Sequence, residues 1–202
     1  MRTFLAIPIP AVVQDVIQQQ QQQLEALLAT ARLSRMVRWT PPSSVHLTLR
    51  FLGETTEEQR RDLQPRLTRI STNGRPFTLA LGEIGSFPNL RTPAIVWLGL
   101  QPADETLDQI QQQIELAVQA VGFLAENKPF RPHLTIGRLG RQVTPPQVRA
   151  IGQTFAQHLA TTTTPNTGRA TFLVDHLEQI QSQLQPAGPI YTPLQRFTFA
   201  VV

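Results

Sequence analysis

His46-Leu47-Thr48-Leu49-Arg50-Phe51-Leu52-Gly53 returns 87 residues later as His133-Leu134-Thr135-Ile136-Gly137-Arg138-Leu139-Gly140. Five of the eight positions are identical, and Leu49/Ile136 is a conservative sixth. Each copy opens with the polar/apolar alternation of a β-strand. The histidine and threonine therefore share one face, and the leucine and its apolar partner share the other. A repeat this sharp points to an internal duplication.

The flanking sequence repeats more weakly. A strand is expected over 3–9, turned by Pro8 and Pro10. A helix over 11–30 follows, with Val13, Ile17, Leu24 and Leu28 as its apolar stripe. The glutamine run 18–23 reads as a solvated face of that helix, since glutamine has good helix propensity. Arg38, Trp39 and the Pro41-Pro42 turn lead into a strand over 45–52, then a helix over 56–70 and strands over 77–87 and 94–100. The pattern then restarts. A helix over 103–121 carries Leu107, Ile110, Ile114, Ala117 and Val121 on one face. A strand over 131–139 and a helix over 145–159, capped by Thr144, come next. A loop begins at Thr161–Thr164 and continues through Pro165, Asn166 and Gly168. The last strands are expected over 170–177 and 195–202, on either side of the turn-rich stretch 185–193. With 94–100 counted as the opening strand of the second half, each half reads strand, helix, strand, helix, strand, strand. The expected fold is α+β, one domain over 1–202 of two pseudosymmetric lobes. Antiparallel sheets flank a central cleft, helices lie outside, and each lobe supplies one His-x-Thr-x motif.

Composition narrows the chemistry. The 202 residues include no cysteine, which rules out disulfides, thiolate-bound zinc, iron–sulfur clusters and thiol catalysis. Eighteen basic residues against fourteen acidic give a net charge of +4. Lys128 is the only lysine, so the excess is arginine, whose planar fork of donors suits phosphate. The same excess also fits an ordinary soluble surface. No apolar run is long enough to span a membrane. The apolar start contains Pro8 and Pro10 and runs into glutamines without a small-residue cleavage site. It reads as a buried first strand, and a cytoplasmic protein is expected.

Two histidines around one phosphate form a complete acid–base set. One takes a proton from water while the other protonates the leaving oxygen, and an ordinary pKa of about 6.5 suits both jobs. Threonine hydroxyls can donate to the non-bridging oxygens. A lone His-x-Thr is most often structural; two equivalent copies, in a chain with four histidines, mark His46, His133, Thr48 and Thr135 as a candidate site. A metal cluster of His46, His133, His176 and Asp175 would lack an acidic ligand in either repeat, so no metal or other cofactor is expected. His158 fits the end of a helix. Strand parity places Arg50 and Arg131 on the faces of His46 and His133. Arg138 joins them only if Gly137 marks a bulge. Each arginine reads equally well as a solvated surface charge. Trp39, Phe87 and Tyr191 could stack on a base, although the first two fit a core or cleft wall and Tyr191 lies near a turn.

With these features the chain resembles the 2H phosphoesterase superfamily, named for its paired His-x-Thr/Ser-x motifs. Within it the chain is most similar to the bacterial and archaeal RNA 2′,3′-cyclic phosphodiesterases, also called 2′-5′ RNA ligases. Besides both motifs, the resemblance rests on Arg2-Thr3-Phe4-Leu5-Ala6-Ile7, Val37-Arg38-Trp39 with Pro41-Pro42, and Gly85-Ser86-Phe87-Pro88. It extends to Val96-Trp97-Leu98-Gly99, Pro129-Phe130-Arg131-Pro132 and Tyr191-Thr192-Pro193-Leu194. It implies metal-independent opening of RNA 2′,3′-cyclic phosphate ends to 2′-phosphomonoesters, and in some members reversible 2′-5′ joining of tRNA half-molecules. It further implies His46 as proton donor to the leaving 3′ oxygen, His133 as proton acceptor, and Thr48 and Thr135 as phosphate holders. The residues themselves do not assign donor and acceptor, because the halves are near-equivalent. A phosphodiesterase for a small cyclic nucleotide or ADP-ribose cyclic phosphate would keep the same histidines. A non-catalytic RNA-binding protein would keep the basic cleft but would be indifferent, in activity, to losing either histidine. A monomer is expected, since the duplication builds a two-sided cleft within one chain.

Overall fold

The fold is described by a computed structural model over residues 1–161, 170–186 and 188–200. Its strands are β1 (Arg2–Pro8), β2 (Val37–Trp39), β3 (His46–Glu54), β4 (Phe77–Phe87), β5 (Ile95–Pro102), β6 (His133–Leu139), β7 (Thr171–Val174), β8 (His176–Gln185) and β9 (Gly188–Thr198). Its helices are α1 (Ala11–Thr30), α2 (Glu57–Asn73), α3 (Thr106–Gln119) and α4 (Pro145–Thr161).

The strands form one curled antiparallel sheet in the order β7-β4-β5-β6-β3-β1-β8-β9, with β2 alongside β6. This is the α+β fold expected from the repeats, with one difference in connectivity. The two sheets are halves of a single sheet, and each half borrows an outer strand from the other half of the chain. β4 comes from the first repeat but joins β5 and β6 of the second; β8 comes from the second but joins β1 and β3. The reason is local. β4 and β5 are separated by a short connection containing Pro88, Asn89 and Pro93, and consecutive strands so joined pair as a hairpin.

The half-sheets meet through Leu47 and Leu134, paired across β3 and β6. Both side chains are fully buried on the helix side of the sheet. Helices α2 and α3 pack together beneath β3 and β9, and α1 packs with α4. The stripe of α1 is as expected, with one addition. Gln21 lies in register with Ile17, Leu24 and Leu28 and is itself buried. Its amide donates to the carbonyls of Thr40 (2.7 Å) and Ile136 (2.9 Å), so this one glutamine of the run ties α1 to β6. On α2, Thr56 and Gln59 form a reciprocal capping box, with Glu57 and Glu58 in the positive first turn. Before α4, the Gln147 side chain accepts from both the amide and the hydroxyl of Thr144. On α3 the helix ends at Gln119, and Val118 completes the buried stripe.

Three expectations shift near the C-terminus. The single strand over 170–177 is two strands: β7 pairs with β4, the chain crosses at Asp175, and β8 pairs with β1. The stretch 185–193 is mostly the start of β9, which pairs with β8 back to Gly188. Pro189 and Pro193 are tolerated because β9 is an edge strand and needs no outward amide donors. The ordered last strand accordingly begins before 195. Most of the expected 161–168 loop, and residues 201–202, lie outside the described residues. Among the described residues no helix is long and apolar enough to cross a membrane.

Candidate active site

The antiparallel junction decides how the repeated motifs face each other. Leu47 opposes Leu134, so one step along the register sets His46 against Thr135 and Thr48 against His133. A pseudo-two-fold axis thus passes through the leucine pair. The two leucines are sealed on the helix side, whereas the four polar side chains are half-buried on the cleft side. Leucine on one face of each motif anchors histidine on the other.

Each imidazole is oriented by its own chain two residues earlier. His46 Nδ1 lies 2.9 Å from the Ser44 carbonyl, and His133 Nδ1 lies 2.6 Å from the Arg131 carbonyl. A carbonyl oxygen only accepts, so Nδ1 must carry a proton in both rings. Nε2 is left as an acceptor in the neutral ring and a donor in the protonated one.

The two rings have different walls. Phe4 stacks on His46 at 4.7 Å between centroids, and Tyr191 meets its edge at 5.0 Å. Phe4, Ala6 and Ile180 form a small apolar cluster on this face, with Tyr191 packed against it. Burial in that cluster holds the His46 pKa below the ordinary 6.5, against the opposing effect of the bond to Ser44. Around His133, Phe87 packs edge-on at 4.9 Å and Trp97 lies 6.1 Å away. The indole of Trp97 rests on Gly85, where a Cβ would come within 2.2 Å of the ring. The sequence reading did not single out Phe4 or Trp97 as site residues. Strand parity in β1 and β5, neighbours of the two motif strands, was the signal available for both.

Both motif strands carry a bulge at equivalent places. In β3, Thr48 pairs with Ala6 and Arg50 with Leu5, which leaves Leu49 as the extra residue. In β6, Thr135 pairs with Trp97 and Gly137 with Val96, which leaves Ile136 as the extra residue. The bulges reverse the parity beyond each motif. Arg50 therefore turns to the helix side, contrary to the simple alternation. Its Nε lies 2.7 Å from Glu115 Oε2 of α3, and its guanidinium donates to the Leu124 carbonyl. Phe51 takes the cleft side instead, 5.6 Å from Phe4. In β6 the same inversion satisfies the condition set for Arg138 and brings it to the cleft face, where its charge acts on Tyr191.

Arg131 is exposed just before β6, and its carbonyl is what orients His133. Trp39 is not in the cleft. Its indole N–H donates to Glu25 of α1 at 3.0 Å, on the helix side. Phe87 is in the cleft, against His133. Tyr191 sits within β9 rather than in a turn, and reaches back to His46. His158 lies in the last turn of α4. His176 opens β8 and is engaged by Asp175 at 2.5 Å and Glu178 at 3.5 Å. The chemistry on offer is two imidazoles and two hydroxyls turned into one cleft, with aromatic walls and arginine at one end.

Sequence and fold comparisons agree with that geometry. An RNA 2′,3′-cyclic phosphodiesterase of Methanothermobacter thermautotrophicus is 28% identical over 198 residues, 98% of each chain. One from Thermus thermophilus is 31% identical over 203 residues, covering 98% of this chain and 90% of its own. The crystal structure of E. coli LigT complexed with 3′-AMP superposes with a TM-score of 0.73 at 25% identity, over 99% of this chain and 98% of that one. The sequence pattern described as LigT like Phosphoesterase matches twice in succession, over residues 12–97 and 98–191, one match for each motif, and the chain belongs to that family of the 2H phosphoesterases.

Proposed function

We propose that this protein hydrolyses RNA 2′,3′-cyclic phosphate termini to 2′-phosphomonoesters by acid–base catalysis between His46 and His133. The observation that carries this reading is the crosswise placement of His46, Thr135, Thr48 and His133 about one axis, with both Nδ1 atoms committed to carbonyls. A cyclic phosphate on the axis would meet one Nε2 on each side. Water attacks phosphorus as one neutral Nε2 takes its proton. The P–O3′ bond breaks as the other ring, protonated, delivers a proton to O3′. Thr48 and Thr135 donate to the non-bridging oxygens, where negative charge grows. Following what the family resemblance implies, His46 is taken as donor and His133 as acceptor. The arriving phosphate anion favours the imidazolium of His46, which burial disfavours in the free protein. A ribose 5′-hydroxyl in place of water would yield a 2′-5′ linkage by the same steps.

The test is an oligoribonucleotide ending in 2′,3′-cyclic phosphate, incubated in EDTA with wild type, His46→Ala and His133→Ala. The expected result is opening to a 2′-phosphate by wild type, lost in both variants. Folded wild type that leaves the cyclic end intact would overturn the reading. Activity retained in either variant would remove that histidine from the mechanism.

A further inference from the structure

A groove of about 500 Å³ opens on the helix layer, where the outer face of α2 meets the end of α3. Arg61, Pro65 and Arg69 follow one another at four-residue steps along α2, and Arg66 stands beside them one turn before Arg69. Ala120 and Val121 close the other side. Gly122, at φ +91°, turns the chain away just past them. The sheet separates this groove from the histidine–threonine cleft, because α2 and α3 pack beneath β3 and β9.

Three guanidinium groups meet one carboxylate there. Arg61 Nε lies 3.2 Å from Asp62 Oδ1. Arg66 and Arg69 are exposed, and among the described residues neither guanidinium has a hydrogen-bond or ion-pair partner. Glu57 is held by Arg60 at 2.6 Å, and Glu58 does not line the groove. The end of α3 has no basic residue in its last turn, but a helix end carries only about half a negative charge. Three cations, one carboxylate and that half charge leave about +1.5 unbalanced. Arg66 and Arg69, one turn apart, repel each other until an anion lies between them. Pro65 sits inside α2 and has no amide to give, so the Arg61 carbonyl four residues earlier lacks its regular helix bond. The cationic row also stops at both ends. Arg60 is neutralised by Glu57, and Arg75 lies 3.3 Å from Asp104, which favours a compact anion over a long polymer.

We propose that this groove is a second ligand site, separate from the cleft, for a small molecule that carries an oligophosphate group on an apolar or planar body, a nucleoside triphosphate being the simplest example. Arg66 and Arg69, from adjacent turns, clamp one phosphate with their planar forks. Arg61, about 12 Å along the helix axis from Arg69, holds the other end of the oligophosphate through its long side chain. The body of the ligand rests on Pro65, Ala120 and Val121, and a donor on it meets the Arg61 carbonyl. The volume of the groove falls within the range of small-molecule sites. Neither the site nor its test depends on the reaction proposed above.

The test titrates two proteins in EDTA with UTP, UMP and uridine, by calorimetry and by amide NMR. One is wild type; the other is the His46→Ala/His133→Ala double variant, whose cleft lacks both imidazoles. In both, UTP is expected to bind the groove about tenfold or more tightly than UMP, since each charge-assisted bond to an added phosphate is worth at least that much. Uridine should show no binding there. The amide shifts caused by UTP should gather at 61–69 and 120–122. Arg66→Gln/Arg69→Gln, at exposed positions, should weaken UTP by about tenfold or more, and Arg66→Lys/Arg69→Lys should restore only part of the loss, because lysine keeps the charge without the fork. Shifts that gather around Thr48 and Thr135 and leave 61–69 untouched would overturn the site. An unchanged Kd in folded Arg66→Gln/Arg69→Gln would do the same. So would displacement of UTP by sulfate at equal charge concentration, which would reduce the groove to a patch of counterions.

Discussion

Phe51 and Arg138 look into the same cleft from equivalent places, each five residues beyond its motif histidine. The equivalence is produced by paired bulges, with Leu49 and Ile136 as the extra residues. Each strand keeps His and Thr on the cleft side for one turn of the pleat and then inverts. The first repeat therefore presents an aromatic ring where the second presents a cation. The duplicated scaffold is symmetric in backbone and asymmetric in chemistry, which is what two ends of a nucleotide, base and phosphate, call for.

Arg50 should be a stability residue. Its side chain and that of Glu115 are 10% and 18% exposed, and bonds from the Glu126 amide, Gln119 and Arg50 hold the Glu115 carboxyl below its ordinary range despite burial. Removing the guanidinium leaves Glu115 short of its cation. Arg50→Met should cost about 3 kcal/mol in urea unfolding, the scale for breaking a mostly buried pair. Its kcat/KM per folded molecule should stay within about twofold of wild type. Loss of activity without loss of stability would return Arg50 to the cleft.

Gln21 should act at a distance through the β6 bulge. The Ile136 carbonyl, displaced from the β5 ladder, accepts from the Thr40 amide at 2.9 Å and from the Gln21 side chain at 2.9 Å. Gln21→Leu keeps the size and the apolar stripe but removes both side-chain bonds. It should cost about 1–3 kcal/mol, the penalty for under-satisfied buried carbonyls. Because the bulge aims Arg138, KM for a cyclic-phosphate oligonucleotide should rise as well. Gln21→Glu cannot donate from a carboxylate and should be no better, whereas a neutral KM in Gln21→Leu would detach the bulge from Arg138.

The repeated octapeptide made the fold legible because a strand's two faces are written in its alternation. His46, Thr48, His133 and Thr135 fall on one face in the structure as parity required. What alternation cannot carry is a change of parity within the strand. The β6 bulge had a visible cue in Gly137, but nothing in Leu49-Arg50-Phe51 announced its twin, so Arg50 was read on the wrong side. The sequence leaves Trp39 open between stacking on a base and a place in the core or cleft wall, and alone it could not decide. Its partner Glu25 lies on a helix fourteen residues earlier, and only the tertiary packing of α1 brings them together. The β4/β8 exchange between half-sheets was hidden because the order of elements is the same whether or not the outer strands swap. Pro189 and Pro193 suggested a turn because the sequence does not reveal that β9 is an edge.

Thr48 and Thr135 supply different tests from the histidines, since valine matches threonine in shape and serine keeps the hydroxyl. Thr135→Val should lower kcat/KM about 10- to 100-fold, the equivalent of losing one hydrogen bond to a charged oxygen. Thr135→Ser should stay within several-fold of wild type. Thr48 should behave alike, because it opposes His133 as Thr135 opposes His46. Steady-state kinetics on the cyclic-phosphate oligonucleotide decide it: equal losses for Val and Ser would point to packing by the methyl group and remove phosphate holding from the role.

His46 should link protonation to folding in a definite direction. Its folded pKa is pushed below the ordinary 6.5 by burial between Phe4 and Tyr191. The unfolded chain thus binds the proton more readily than the folded one. Stability from this residue is fully present above about pH 6.5 and is lost as pH falls through the lower folded value. Asp104, Glu115 and Asp175, all held below ordinary values of 3.8 to 4.5, lose their contributions only as pH falls below that range. Thermal melts from pH 7.5 to 5 should show a decline in Tm that is shallower in His46→Asn. An NMR titration of the His46 ring should give a midpoint below 6.5 in the free protein, moved upward by a bound 2′-phosphate nucleotide. That upward movement is the proton uptake a donor requires; a ring that already titrates above 6.5 without ligand would contradict the enclosure by Phe4 and Tyr191 as the controlling influence on His46.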